Sequence, residues 1–151
     1  MTRSVHVVAA SIVEREGKFL LVEERIGGAV MINQPAGHWE DGETLIDAAR
    51  REALEETGWE VEPTDVLGFY DFKPPDLDYC FLRVAFIARA VTYHPQRKLD
   101  EGIVGPIWLT RDELLACRDR HRSPSVMRCV DDYLQGNAYP LSMIAHLSAE
   151  K

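Results

Sequence analysis

The nine residues REALEETGW (51–59) constrain this chain more than any other stretch. At about 100° per residue, Glu52, Glu55 and Glu56 fall within roughly one third of a helix circumference. Like charges at i,i+4 destabilise an isolated helix, and only Arg51, four residues before Glu55, offsets the repulsion. Ile46, Ala49 and Ala53 form the adjacent stripe and are expected to pack on a sheet, which leaves the acids at the border of the core. Ala48 and Ala49 are small and are expected to leave space beside the acids. The ordinary reading of such a cluster is a solvated face. In a partly desolvated groove, however, clustered carboxylates are costly without a cation. Oxygen-only ligands then point to a hard divalent ion, Mg²⁺ or Mn²⁺.

The flanking sequence supplies a frame for that helix. VHVVAASIVER (4–15) reads as a largely buried strand, and Gly17 turns the chain into a second strand, KFLLVEER. A glycine-rich loop with a short strand at 30–32 follows. The helix spans 44–57, with Thr44 and Asp47 spaced as a capping box and Gly58 and Trp59 closing it. Two strands are expected at about 61–72 and 79–93, and a further strand ends at Trp108. A helix opens at the Thr110–Glu113 capping box and runs to about Arg118. A last helix starts after Ser123-Pro124 and ends near Gly136. Strands and helices in this order predict one α/β domain over 1–151, with a mixed sheet between helices.

Charge narrows the partners. Lys and Arg total 17 against 25 Asp and Glu, a net charge of -8, which argues against nucleic-acid polymers and anionic membranes. Cys80, Cys117 and Cys129 are odd in number and widely spaced, as in a reducing cytosol. No signal peptide or apolar span is evident at the sequence level. The expectation is a cytoplasmic protein, a monomer or homodimer, acting on a small molecule.

The stretch from Gly37 to Trp59, GHWEDGETLIDAARREALEETGW, resembles the Nudix box G-x5-E-x7-R-E-U-x-E-E-x-G-U, where U is a bulky hydrophobic. Gly37, Glu43, Arg51, Glu52, Glu55, Glu56 and Gly58 fill the fixed positions. Ala53 is smaller and Trp59 larger than the usual residues at U, a matter of packing rather than chemistry. NQPAGHWEDGETL (33–45) and HRSPSVMRCVDDYLQGNAYPLSMI (121–144) are similar to the corresponding segments of NudJ-type Nudix phosphatases. The resemblance implies a Nudix-type α/β/α sandwich and Mg²⁺-dependent cleavage of a phosphoanhydride, with Mn²⁺ as a substitute. For the NudJ type it further implies orthophosphate release from nucleoside di- and triphosphates, hydroxymethylpyrimidine diphosphate and thiamine diphosphate.

Residue by residue, the resemblance assigns metal binding to Glu55 and Glu56, with the Gly37 carbonyl as a further ligand. Glu52 becomes the general base with a share in the metal, kept ionised by the ion. Glu43 and Arg51 become a pair fixing the loop against the helix. Asp100 or Glu101, in KLDEG, is expected to add one more acid. Arg25 and Arg122 are candidates for phosphate oxygens. Trp39 and Tyr79 are candidates for base stacking, packing being the commoner role. His38 abuts the box, yet one histidine among oxygens does not suggest zinc. Two rivals remain: a pyrophosphohydrolase releasing pyrophosphate from nucleoside triphosphates, and a non-catalytic nucleotide sensor. The sensor fits poorly, because every box acid is retained.

Overall fold

The long strand β1 (Ser4–Arg15) organises the molecule. The computed structural model describes residues 4–148; the expected domain limits, 1 and 151, lie outside them. From Ser4 to Val13, β1 pairs in parallel with β6 (Tyr79–Tyr93). Its other edge takes the short β4 (Ala36–His38) at Val8–Ala10, and its last residues form a hairpin with β2 (Lys18–Ile26). Such a strand is covered on both faces, which explains the unbroken β-branched and alanine run read from the sequence. The antiparallel strand β5 (Trp59–Phe72) lies outside β6. On the far side, β2 is flanked by β3 (Ala29–Asn33) and β7 (Ile103–Leu109).

Helices cover both faces of this mixed, seven-stranded sheet. On one face α1 (Leu45–Thr57) sets Ala48 and Ala49 against Ala9, Val66, Val84 and Phe86. On the other, α3 (Ser125–Leu134), with α2 (Arg111–Ala116), packs Val126, Cys129, Val130 and Leu114 on Ile12, Leu21, Ile32 and Leu67. The result is the α/β/α sandwich that the sequence suggested. Ala48 and Ala49 correct one expectation: both are fully buried, so their small size brings α1 close to the sheet and leaves no space for a ligand.

Element ends differ from the reading by local chemistry. Thr44 accepts the Asp47 N–H at 2.9 Å, but the Asp47 carboxylate turns to Arg50 at 2.7 Å, so only half of that capping box forms. The Thr110–Glu113 box is complete. The helix it opens stops at Ala116, because Cys117 leaves helical geometry and a 3-10 turn, Arg118–Arg120, follows. Gly58 adopts φ 77°, and its carbonyl accepts the His94 N–H at 2.7 Å. That left-handed residue passes the chain directly from α1 into β5, so the strand begins at Trp59 rather than 61. No described helix is long and apolar enough to cross a membrane.

Candidate active site

The acids of α1 face two loops. Glu52, Glu55 and Asp100 each present a carboxylate oxygen within 4.8 Å of the others. The Asp100 N–H donates to the Glu55 carbonyl at 3.1 Å, which ties the incoming loop to the helix. Glu101 is exposed and lies outside this group, so the geometry distinguishes the two acids that the sequence left level. Glu56 points elsewhere, its Oε1 accepting the Ala36 N–H of β4 at 2.9 Å. Burial pushes the Glu56 carboxyl up to about 8, opposed by the Ala36 hydrogen bond and reinforced by the charges of Glu52, Glu24 and Asp100.

Glu52 is 8% exposed and lies against the backbone of Gly37. A Cβ at position 37 would fall inside the van der Waals envelope of the Glu52 carboxylate, so glycine is required there for close approach. Burial holds Glu52 above the usual carboxylate range, opposed by its hydrogen bond to Arg51. A bound cation is expected to lower this value; the fold alone drives the group the other way.

Arg51 binds the whole arrangement together. Its Nε and Nη2 donate to the two oxygens of Glu43 at 3.0 and 2.8 Å, a bidentate pair. Nη2 also donates to the His38 carbonyl at 2.9 Å, while Nη1 reaches Glu52 at 2.7 Å and Glu55 at 3.2 Å. The Arg51 hydrogen bonds hold Glu43 below the usual carboxylate range. Loop 38–43 is thereby fastened to α1, as the expected Glu43–Arg51 pair requires.

Beside these acids opens a cleft of about 580 Å³, lined by Gly37, Glu52 and Glu56 at one end. Arg122 lines it too and donates to Glu24 at 3.1 Å. Arg25 does not: strand alternation sets it on the face opposite Glu24, exposed and away from the cleft. Trp39 is also outside, its indole N–H donating to the Glu43 carbonyl at 2.8 Å. Tyr79 does line the cleft, packed on His6 with ring centres 4.3 Å apart and planes tilted by 30°. His38 hydrogen-bonds His6 at 2.8 Å rather than joining the acids. Among the lining residues that the sequence did not single out are Glu24, Asn33, Arg83 and Ser123. The signal for Arg83 was present: a lone arginine inside the apolar run YCFLRVAFIA.

The donor set is suited to one kind of guest. Glu52, Glu55 and Asp100 offer only carboxylate oxygens, a set that suits a hard divalent cation. Glu56, expected from the sequence as a ligand beside Glu55, stands outside this group, turned to the Ala36 N–H.

Comparison with known proteins agrees with this geometry. The NUDIX domain family profile matches residues 2–129. The Escherichia coli K12 protein called phosphatase NudJ is 40% identical over 139 residues, covering 92% of this chain and 90% of that protein. A solved NUDIX hydrolase from Nitrosomonas europaea superposes with a TM-score of 0.93 at 41% identity, covering 95% of this chain and 98% of that one. A MutT NUDIX hydrolase from Burkholderia pseudomallei, 18% identical, shares the fold with a TM-score of 0.71 over 85% of this chain and 98% of its own. The box acids on α1, the fold that carries them and these matches lead to one conclusion: the chain belongs to the Nudix family and is a hydrolase of compounds containing phosphoanhydride bonds.

Proposed function

We propose that this enzyme is a Mg²⁺-dependent phosphohydrolase of the NudJ kind, with Mn²⁺ as a substitute. In this reading it releases orthophosphate from nucleoside tri- and diphosphates, with hydroxymethylpyrimidine diphosphate and thiamine diphosphate as further substrates. The whole chain, 1–151, acts as one domain on small cytoplasmic molecules. The observation that supports it best is the oxygen group of Glu52, Glu55 and Asp100 beside a cleft that also carries Arg122.

Glu52, Glu55, Glu56, Asp100 and the Gly37 carbonyl would hold the cation. Once bound, a divalent cation supplies Lewis-acid neutralisation of the phosphate charge. Glu52 takes the proton of the attacking water. Arg51 fixes the angle of that carboxylate, and Glu43 fixes Arg51. Arg122 meets phosphate oxygens as they enter.

Phosphorus NMR of reactions with GTP, GDP and hydroxymethylpyrimidine diphosphate tests the reading. Orthophosphate is expected as the sole inorganic product from GTP and GDP. Pyrophosphate from GTP with GDP untouched would make the enzyme a pyrophosphohydrolase instead. Glu55→Gln and Glu56→Gln are each expected to lose about 10²-fold or more of the Mg²⁺-dependent turnover. Near-wild-type rates in both variants would sink the ligand assignment.

A further inference from the structure

Tyr79, Phe81 and Arg83 alternate along β6 and line the cleft. In the register of the sheet Arg83 sits between Val8 of β1 and Tyr70 of β5, and Phe81 lies between His6 and Phe72. The floor is thus aromatic and apolar toward its mouth, with a guanidinium set into its inner end. Arg83 is only 6% exposed.

Its partners carry no charge. Nη1 donates to Gln34 Oε1 at 2.7 Å and lies 3.8 Å from Cys129 Sγ, while Nη2 donates to Asn33 Oδ1 at 2.7 Å. Among the described residues no carboxylate lies within ion-pair distance of it. A buried charge without a counter-charge is costly.

The neighbouring amides are oriented by their own bonds. Gln34 Nε2 donates to the Val126 carbonyl at 2.8 Å, which turns its oxygen to Arg83. Asn33 Oδ1 also accepts the Gln34 N–H at 2.9 Å, so two donors occupy that oxygen and the Asn33 NH₂ remains for the cleft. Ser123 Oγ accepts the Ser125 N–H at 3.1 Å and keeps its own proton to donate. This end of the cleft therefore presents donors, whereas the α1 end presents acceptors.

We propose that Arg83 and the Asn33 NH₂ form a binding subsite for a phosphate oxygen of the substrate, at the end of the diphosphate away from the α1 carboxylates. A full negative charge is what offsets a buried guanidinium; a neutral carbonyl does so only in part. The identity of the guest as a diphosphate rests on the phosphohydrolase reading, but its binding can be measured without turnover.

Calorimetric titration of methylenediphosphonate, which cannot be hydrolysed, into the Mg²⁺-loaded enzyme is the test. Arg83→Gln is expected to weaken binding about 10- to 100-fold. It is also expected to raise KM for GDP, ADP and UDP by one common factor, with a smaller change in kcat. Arg83→Lys, which keeps the charge and loses the fork, falls between. Wild-type affinity in folded Arg83→Gln overturns the subsite while leaving the phosphohydrolase reading intact. A loss confined to GDP and UDP, with ADP unaffected, assigns Arg83 to a ring carbonyl and overturns the phosphate assignment. Arg83-dependent binding with no turnover of any diphosphate keeps the subsite and sinks the phosphohydrolase reading. If Arg83→Gln does not fold, Asn33→Ala replaces it, with about 3- to 10-fold weaker binding expected; wild-type affinity there overturns the proposal equally.

Discussion

Arg51 and Arg83 serve the same cleft in opposite company. Arg51 is surrounded by Glu40, Glu43, Glu52 and Glu55 and by a backbone carbonyl, so its charge is fully answered inside the protein. Arg83 is more deeply buried, yet its neighbours are two amides and a thiol. A guanidinium among carboxylates has no charge left to offer a ligand and acts as a clamp. One among neutral acceptors fixes its neighbours with some of its donors and keeps its charge for a guest.

The sharpest way to break the clamp side of this contrast leaves Arg51 untouched. Gly37→Ala forces the Glu52 carboxylate off the loop backbone, and a displacement of about 1 Å is expected to cost about 10²-fold in kcat/KM. Thermal melting would remain cooperative; a fully active Gly37→Ala enzyme would show that the Glu52–Gly37 contact is not needed. Arg51→Met comes next. It leaves Glu43, Glu52 and Glu55 facing one another and is expected to cost about 2 kcal/mol of stability together with activity, both partly restored by Mg²⁺. A chemical denaturation midpoint equal to wild type would reduce the clamp to a surface pair.

A smaller effect separates the acids from their clamp. The raised pKa of Glu56 means that the metal-free folded protein binds a proton that the unfolded chain releases. Its contribution to stability is fully present below about 4.5 and is lost as pH rises through about 8. The metal-free enzyme is therefore expected to lose about 1–2 kcal/mol between pH 6 and 8.5. Glu56→Gln should flatten that slope while abolishing turnover; an unchanged slope would place its origin in another group. Smallest is Thr110→Ala, which removes a complete capping box remote from both arginines. A loss of about 1 kcal/mol with unchanged kcat/KM is expected, and a change in kcat/KM would mean that α2 communicates with the cleft.

The two sides of the cleft were unequally legible in the sequence. The clamp side is local: Gly37, Glu43, Arg51, Glu52 and Glu55 follow one another through β4, one loop and one helix, and helical spacing alone puts the acids of α1 together. Asp100 came within reach only through the resemblance, which calls for one more loop acid, yet its separation from Glu101 depends on the hydrogen bond between its N–H and the Glu55 carbonyl. The donor side was hidden because Asn33, Arg83 and Ser123 come from β3, β6 and the approach to α3, and only sheet register unites them. Arg25 misled for the same reason, since its face is decided by pairing that no local pattern reveals. The strands and helices themselves were readable from apolar runs, turns and caps, while the three-residue β4 is too short to carry any such signal.

The parallel pairing of β1 with β6 also has a temporal side. Ser4 to Val13 cannot find their parallel partners until Tyr79 to Ala88 have been made, and the ribosome releases the whole acidic helix in between. Contacts this distant in sequence slow folding and leave a nascent apolar strand exposed while it waits. The contacts of α1 with Val84 and Phe86 of β6 are equally distant, so the crowded acids reach their folded setting only after β6 has been made.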